Sequence, residues 1–342
     1  MRRHWSKFIL AGLLLVLVGC QQQPEALHLA GRTMGTTWSA ALLPASGSPA
    51  AEDLQGQLQN RLDRINALMS TYDPASEISQ FNDQTSTDWF PVSAETAKVV
   101  ALSGQISELT GGAFDISVGP LVELWGFGAV PRGEHPPSDA QIDELLSRVG
   151  YRNLEQRLQP AALRKLVPGL RIDLSAVAKG YAVDQLAGLL EEQGVSDYLV
   201  EVGGELRIRG QRGDGTPWKI AIEKPQEEIR EVATVFPLTG TGLATSGNYR
   251  NYYEIDGQRY AHTIDPVSGR PIRHKLASAT VLDPSCARAD ALATALMVMG
   301  EERGRKFCEE HRIAAYFLIH EQTDLTVYAS PAFQTFVEGL QK

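Results

Sequence analysis

In the stretch IDLSAVAKGYAVDQL, Ile172 to Leu186, the end of a strand runs into a helix whose start carries Lys179 and Gly180. Ala178, Ala182, Leu186 and Leu189 recur at helical spacing and already supply a buried face, so packing needs neither residue. Glycine inside a helix costs about 1 kcal/mol relative to alanine. With Asp173 ahead and Ser175 as the expected N-cap, the N–H groups from Ala176 onward point out of the helix start and can hold an anion. Lys179, one turn in, can reach the same anion, and Gly180 lets a ligand or a neighbouring backbone come close. A second constellation lies in RADALATALMVMG, where Asp290 and Thr294 at i and i+4 set a carboxylate beside a hydroxyl. Hard oxygen ligands of this kind suit magnesium. Each feature also has a plainer reading from spacing alone. Lys179 can snorkel from a core helix, Asp290 can favour the positive end of its helix, and Thr294 can be a packed β-branched residue.

Several other chemistries are excluded by motif. No GxxxxGK[ST] phosphate loop and no GxSxG elbow is present, and the glycines of GTGLATSG are wrongly spaced for a dinucleotide fingerprint. HEQTD lacks the second histidine of a zincin helix, and Ser175 and Lys179 are four apart rather than the three of a serine β-lactamase pair.

The elements that must position these residues follow from periodicity. Leu54, Leu58, Leu62, Ile65 and Met69 predict an amphipathic helix, and a second runs from about Ala94 to a Gly111-Gly112 stop. Ser138 and Gln141 are spaced as the capping box of a third, ending near Gly150. YLVEVGGELRIRG and PWKIAIEKP alternate as strands, YYEIDGQRYAH is a hairpin turning at Asp256-Gly257, CARADALATALMVMG is again helical, and AAYFLIHEQTDLTVYAS is a closing hairpin. This mixed order, without regular βα alternation, predicts an α+β fold.

At the N-terminus, Arg2, Arg3 and Lys7 precede an apolar run from Phe8 to Val18, a secretory signal peptide over 1–19. The run is too short for a spanning helix, which needs roughly 20 apolar residues. It ends in Leu17-Val18-Gly19-Cys20, which resembles a bacterial lipobox and makes Cys20 the expected lipidated residue. Residues 20–30 then form the anchor and linker, and 31–342 a single domain. Loss of the three leader cations takes the formal charge from −9 to −12, which disfavours nucleic acid as a partner. Cys286 and Cys308 match no metal spacing; a disulfide and two buried thiols are both open.

TMGTTW, MSTYDPASEISQFN, GGAFDISVGPLVELWGFG, IDLSAVAKGYAVD, EVGGELRIRG, ATSGNYRNYYEIDGQRYAHTIDPVSGRPI and RADALATALMVMG follow one another in the order of a known family. Together they resemble the ApbE family of FAD:protein FMN transferases, periplasmic lipoproteins that attach flavin to other proteins. The resemblance covers most of the mature chain and implies one ApbE-type domain related to the T-fold, with FAD in an extended groove. Matched by position, it implies that Met34, Tyr72, Ala113, Phe114, Asp115, Asp173, Lys179 and Ile264 contact FAD. It also implies that Asp290, Thr294 and the carbonyl of Ala176 hold magnesium. The expected reaction moves FMN to a threonine or serine hydroxyl of the acceptor and releases AMP; positioning and charge neutralisation carry such phosphoryl transfer. His262 is the candidate base, because its unperturbed pKa lies near neutrality; a structural histidine bridging the hairpin is the competing role. Acceptors in the family are subunits of sodium-pumping NADH:quinone reductase and Rnf complexes. Gln21 after Cys20 favours the outer membrane over the inner as the anchoring site, with the domain facing the periplasm. FAD hydrolysis and simple flavin binding are the alternatives. An aromatic at Tyr72 favours transfer over hydrolysis, since it can stack on flavin and shield the phosphates.

Overall fold

Thr33 and Thr36 pair across Met34 and Gly35, whose φ values of 46° and 71° are those of a two-residue hairpin turn. This hairpin joins β1 (Leu27–Thr33) to β2 (Thr36–Leu42) and starts the main sheet of a computed structural model that describes residues 26–45, 47–128, 133, 135–225, 231–248, 251–321 and 324–340. The segment expected to be a signal peptide and the expected anchor at Cys20 and Gln21 lie outside the described residues. Six further strands complete the sheet: β3 (Tyr198–Val202), β4 (Glu205–Arg209), β5 (Thr241–Gly247), β6 (Leu276–Asp283), β7 (Ala314–Glu321) and β8 (Asp324–Ala329). Their spatial order is their chain order, and every pairing is antiparallel.

Helices are inserted between these strands: α1 (Ala51–Met69), α2 (Glu77–Asp83), α3 (Ala94–Leu109), α4 (Gly119–Leu124), α5 (Asp139–Leu146) and α6 (Ser175–Glu192) between β2 and β3, α7 (Cys286–His311) between β6 and β7, and α8 (Pro331–Leu340) at the end. The fold is therefore α+β, as the mixed order predicted. The five apolar residues of α1 are all buried, and the capping box of Ser138 and Gln141 opens α5. Asp256 and Gly257 take φ of 51° and 73° at the tip of the hairpin formed by Tyr252–Ile255 and Gln258–Ala261. Two features differ from expectation. The hairpin β7–β8 does not close the chain, because α8 follows it. The N-cap of α6 is Leu174 and not Ser175; Asp173 Oδ1 accepts from both the N–H (2.8 Å) and the hydroxyl of Ser175.

The middle of the sheet is covered on both faces, which is why β6 is buried almost continuously instead of alternating. Ala244, Ala279, Val281, Ala315 and Phe317 meet α7 and its neighbours on one face. Leu243, Leu282, Tyr316 and Leu318 meet α8 and the hairpin of Trp218–Glu223 with Val232–Leu238 on the other. Cys286 and Cys308 are buried free thiols, so the second of the two open readings holds.

α6 and α7 pack backbone to backbone at Gly180. A Cβ at Gly180 would lie 2.4 Å from the Cys286 carbonyl oxygen and 2.8 Å from Ala287 Cα. The bare backbone thus serves a neighbouring helix, one of the two uses its position allowed. Gly180→Ala is expected to cost about 1–3 kcal/mol by overpacking. Thermal unfolding should show a lower midpoint, whereas Gly188→Ala in the same helix, where a Cβ meets nothing within 4 Å, should not lower it.

Candidate active site

The start of α6 forms the floor of two adjoining cavities, of about 700 and 380 Å³, that share Tyr72, Ser175 and Lys179 in their walls. Met34 and Gly35 of the first hairpin turn line the larger one, with Met69 to Asp73 from the end of α1 and the loop after it. The smaller one is lined by Ala113, Phe114, Asp115, Asp173, Ala176, His262, Ile264, Asp290 and Thr294. Every residue matched by resemblance is therefore gathered at one place, although they span the chain from 34 to 294. Tyr72 stands at the junction with 65 % of its surface exposed.

Two carboxylates cross the α6–α7 contact in opposite directions. Asp184 of α6 accepts from the N–H groups of Cys286 (3.0 Å) and Ala287 (3.1 Å), where it complements the positive end of α7. Asp290 of α7, 2 % exposed, accepts through Oδ2 from the N–H of Gly180 at 3.0 Å. In a regular helix that N–H serves the carbonyl of Ala176. A carbonyl oxygen has two lone pairs, so the Ala176 carbonyl beside the cavity keeps acceptor capacity. Thr294 lies one turn along from Asp290, and its hydroxyl is 3.1 Å from that of Ser246 on β5. The cavity wall thus collects a carboxylate, two hydroxyls and a carbonyl, all hard oxygen donors.

Lys179 bonds directly to Glu205, at the start of β4. Its stem reaches there over the Gly203-Gly204 turn, where a Cβ on Gly203 would be 3.2 Å from Lys179 Cδ. Burial disfavours the ammonium, but Asp290 and Glu205 outweigh it and hold its pKa above the usual value. Burial pushes Glu205 up to about 7, against Lys179 and with the help of Asp290. Burial likewise raises Asp290, against Lys179 and the Gly180 N–H. Lys179 is thus an ion-paired side chain facing the cavity and not a snorkelling one. Asp290 lies past the first turn of α7, where the helix end gives it little support, and bonds across to α6.

His262 follows the short hairpin, which is attached by ring contacts. Trp125 stacks on Tyr260 (5.4 Å), Tyr260 on Tyr253 (5.3 Å) and Tyr253 on Phe127 (5.1 Å), with Phe127 edge-on to His262. The Nδ1 of His262 lies 3.1 Å from the Asn251 carbonyl oxygen. A carbonyl only accepts, so Nδ1 carries the proton, and in the neutral ring Nε2 keeps its lone pair. The histidine therefore does bridge the hairpin, and doing so prepares its other nitrogen to take a proton.

Asp115 lines the cavity while its carboxylate is committed elsewhere. Oδ1 accepts from the N–H and hydroxyl of Ser117, and Oδ2 from the N–H of Tyr151 at 2.7 Å. Its side chain ties two loops together and leaves its backbone to face a ligand. Sequence reasoning missed Glu205, Ser246 and Asn251. For Glu205 the signal was present, an acidic residue after two glycines in an otherwise alternating strand; for Ser246 and Asn251 there was none. Among the described residues, no three His, Cys, Asp or Glu side chains cluster as a metal site.

The description "ApbE family" belongs to the family model that matches residues 34–317. A protein of Vibrio cholerae serotype O1 named FAD:protein FMN transferase is 43 % identical over 335 residues, covering 98 % of this chain and 99 % of the relative. One of the same name from Escherichia coli K12 is 41 % identical over 347 residues, with the same coverage. Among solved structures, the apo form of Pseudomonas stutzeri flavinyl transferase ApbE matches with a TM-score of 0.85 at 38 % identity, over 92 % of this chain and 97 % of that one.

Burial lowers the pKa of His262 from its usual 6.5; the Asn251 carbonyl opposes this, and Lys179 adds to it. A histidine depressed in the folded state contributes fully to stability above its unfolded pKa and loses that contribution as pH falls through the folded value. An NMR titration should accordingly find the His262 ring still mostly neutral at pH 6.5; half-protonation above that pH would refute the assignment.

Proposed function

The chain belongs to the ApbE family and is an FAD:protein FMN transferase, and we propose that it works as a magnesium-dependent enzyme delivering FMN to a threonine or serine hydroxyl of a periplasm-facing acceptor. The observation that carries this reading is the convergence, on one pair of cavities, of a lysine-bearing helix start, an all-oxygen donor set and a histidine with a free Nε2.

The cavities suit FAD, whose two halves need an elongated space with the pyrophosphate between them. The start of α6 and Lys179 lie where the two cavities meet, so they would receive the pyrophosphate. Tyr72, exposed at the same junction, would stack on the flavin and exclude water from the phosphates. Met34, Ala113, Phe114, Ile264, Asp173 and the backbone of Asp115 would bound the remainder. In the transfer step, the acceptor hydroxyl oxygen bonds to the FMN phosphorus and the bond from that phosphorus to the AMP oxygen breaks. The hydroxyl proton passes to His262 Nε2, and AMP departs with the electron pair.

Magnesium fits the donor set formed by Asp290, Thr294 and the Ala176 carbonyl, because it favours few protein oxygens and fills its shell with water and phosphate. When bound, it would neutralise charge on the pyrophosphate. When ionised, Asp290 and Glu205 outnumber Lys179, and that excess of negative charge would repel a pyrophosphate without such help.

We assign the N-terminal segment to a signal peptide over 1–19 and a lipid anchor at Cys20, with Gln21 favouring the outer membrane. No described helix is long and apolar enough to cross a membrane. The acceptors that suit such a location are subunits of NADH:quinone reductase and Rnf-type electron-transport complexes.

The test is to incubate the chain from Gln21 onward with FAD, magnesium and a flavin-acceptor domain. A mass gain of one FMN on the acceptor with equimolar AMP is expected. EDTA or Asp290→Ala should abolish both, and His262→Gln should slow transfer by about 10²–10⁴-fold. AMP without acceptor modification would establish hydrolysis, and FAD binding without AMP a flavin-binding protein. Calorimetry should also show tighter magnesium binding with FAD than without it; equal affinities would contradict a shared site.

A further inference from the structure

Glu205 is 2 % exposed, yet only one of its carboxylate oxygens is bonded. Oε1 takes the ammonium of Lys179, and Oε2 is buried without a hydrogen-bond partner. Burying a carboxylate costs several kcal/mol, offset only by a well-placed counter-ion and hydrogen bonds. Lys179 and Asp290 line the same cavity, and Asp290 bonds to the N–H of Gly180, the residue next to Lys179, so Lys179 has two carboxylates close by and bonds to one of them. The other, Asp290, takes only a backbone N–H among the described residues.

We propose that Glu205 is a positioning residue: by binding the Lys179 ammonium at the Gly203-Gly204 turn, it keeps that cation off Asp290 and so leaves the Asp290 carboxylate free for a divalent cation. Without Glu205, the strongest remaining partner for Lys179 is Asp290. An ion pair there would occupy the cation's ligand and remove the charge that attracts it. The glycine at 203 belongs to the same device, since a side chain there would obstruct the lysine stem on its way to Glu205. This inference rests on magnesium binding at Asp290, as proposed above.

The experiment measures Mg²⁺ binding by calorimetry on the full chain loaded with FAD and without acceptor. Glu205→Gln, which keeps the shape and an acceptor oxygen but removes the charge, is expected to weaken Mg²⁺ by about tenfold, the scale of a coupling between adjacent charges. Lys179→Met combined with Glu205→Gln should bind Mg²⁺ as tightly as Lys179→Met alone, because no ammonium remains to be restrained. Unchanged Mg²⁺ affinity in folded Glu205→Gln would overturn the proposal. A tenfold loss that persists in the Lys179→Met background would also overturn it, by showing that Glu205 acts on the cation directly. Should Glu205→Gln fail to fold, Glu205→Asp, whose shorter arm draws the carboxylate back from the ammonium, is expected to weaken Mg²⁺ with Lys179 present and not in the Lys179→Met background; unchanged affinity with Lys179 present would overturn the proposal. An unaltered affinity in Asp290→Ala would instead refute the magnesium site itself.

Discussion

The site depends on the approach of α6 to α7 at Gly180. At that point two helices come closer than any side chain permits, and two carboxylates bridge them beside the apolar contacts of the core. Asp184 fixes the start of α7 from below and Asp290 fixes the second turn of α6 from above. Once both bonds form, the angle and offset of the helices are set. The Ala176 carbonyl, the Thr294 hydroxyl and the Lys179 ammonium then take positions that no single element could give them. Burying charges this close is costly, and it is offset only because each has a specific donor or counter-ion.

That bridging also decides the electrostatics of the cavity. A pyrophosphate-binding pocket built from cations alone would hold the products as firmly as the substrate. Here the lysine is committed to a buried acid, so under the proposed function the pocket's attraction for phosphate would be incomplete until a metal entered, and substrate and metal recognition would be joined in a single charge balance.

Much of this was legible from the amino acids. The alternation at 198–209, the capping box at Ser138, the hairpin at Asp256-Gly257 and the apolar rows of α1 are local signals, and local geometry follows them. The oddity of Lys179 and Gly180 was legible too, as a departure from what a core helix needs. What sequence could not supply was the partner of each. Gly180 faces a backbone 106 residues away, Glu205 meets Lys179 across a turn, and Ser246 on a strand approaches Thr294 on α7. These are long-range pairings that carry no periodicity. At the start of α6 the bonding is local: the Asp173 carboxylate takes both the N–H and the hydroxyl of Ser175, one position inside the Leu174 cap.

The hairpin carrying His262 is joined to the rest of the protein by stacked rings, outside the main sheet. Ladder hydrogen bonds fix a strand in discrete steps, whereas ring faces can slide by fractions of an ångström at little cost. The floor of the cavity, locked by α6 and α7, is therefore indexed, and the wall carrying His262 is continuously adjustable. Descendants of one ancestral sequence could then adapt that wall to acceptors of different shape by altering ring volumes at Trp125, Phe127, Tyr253 or Tyr260, while the phosphate chemistry beneath stayed the same.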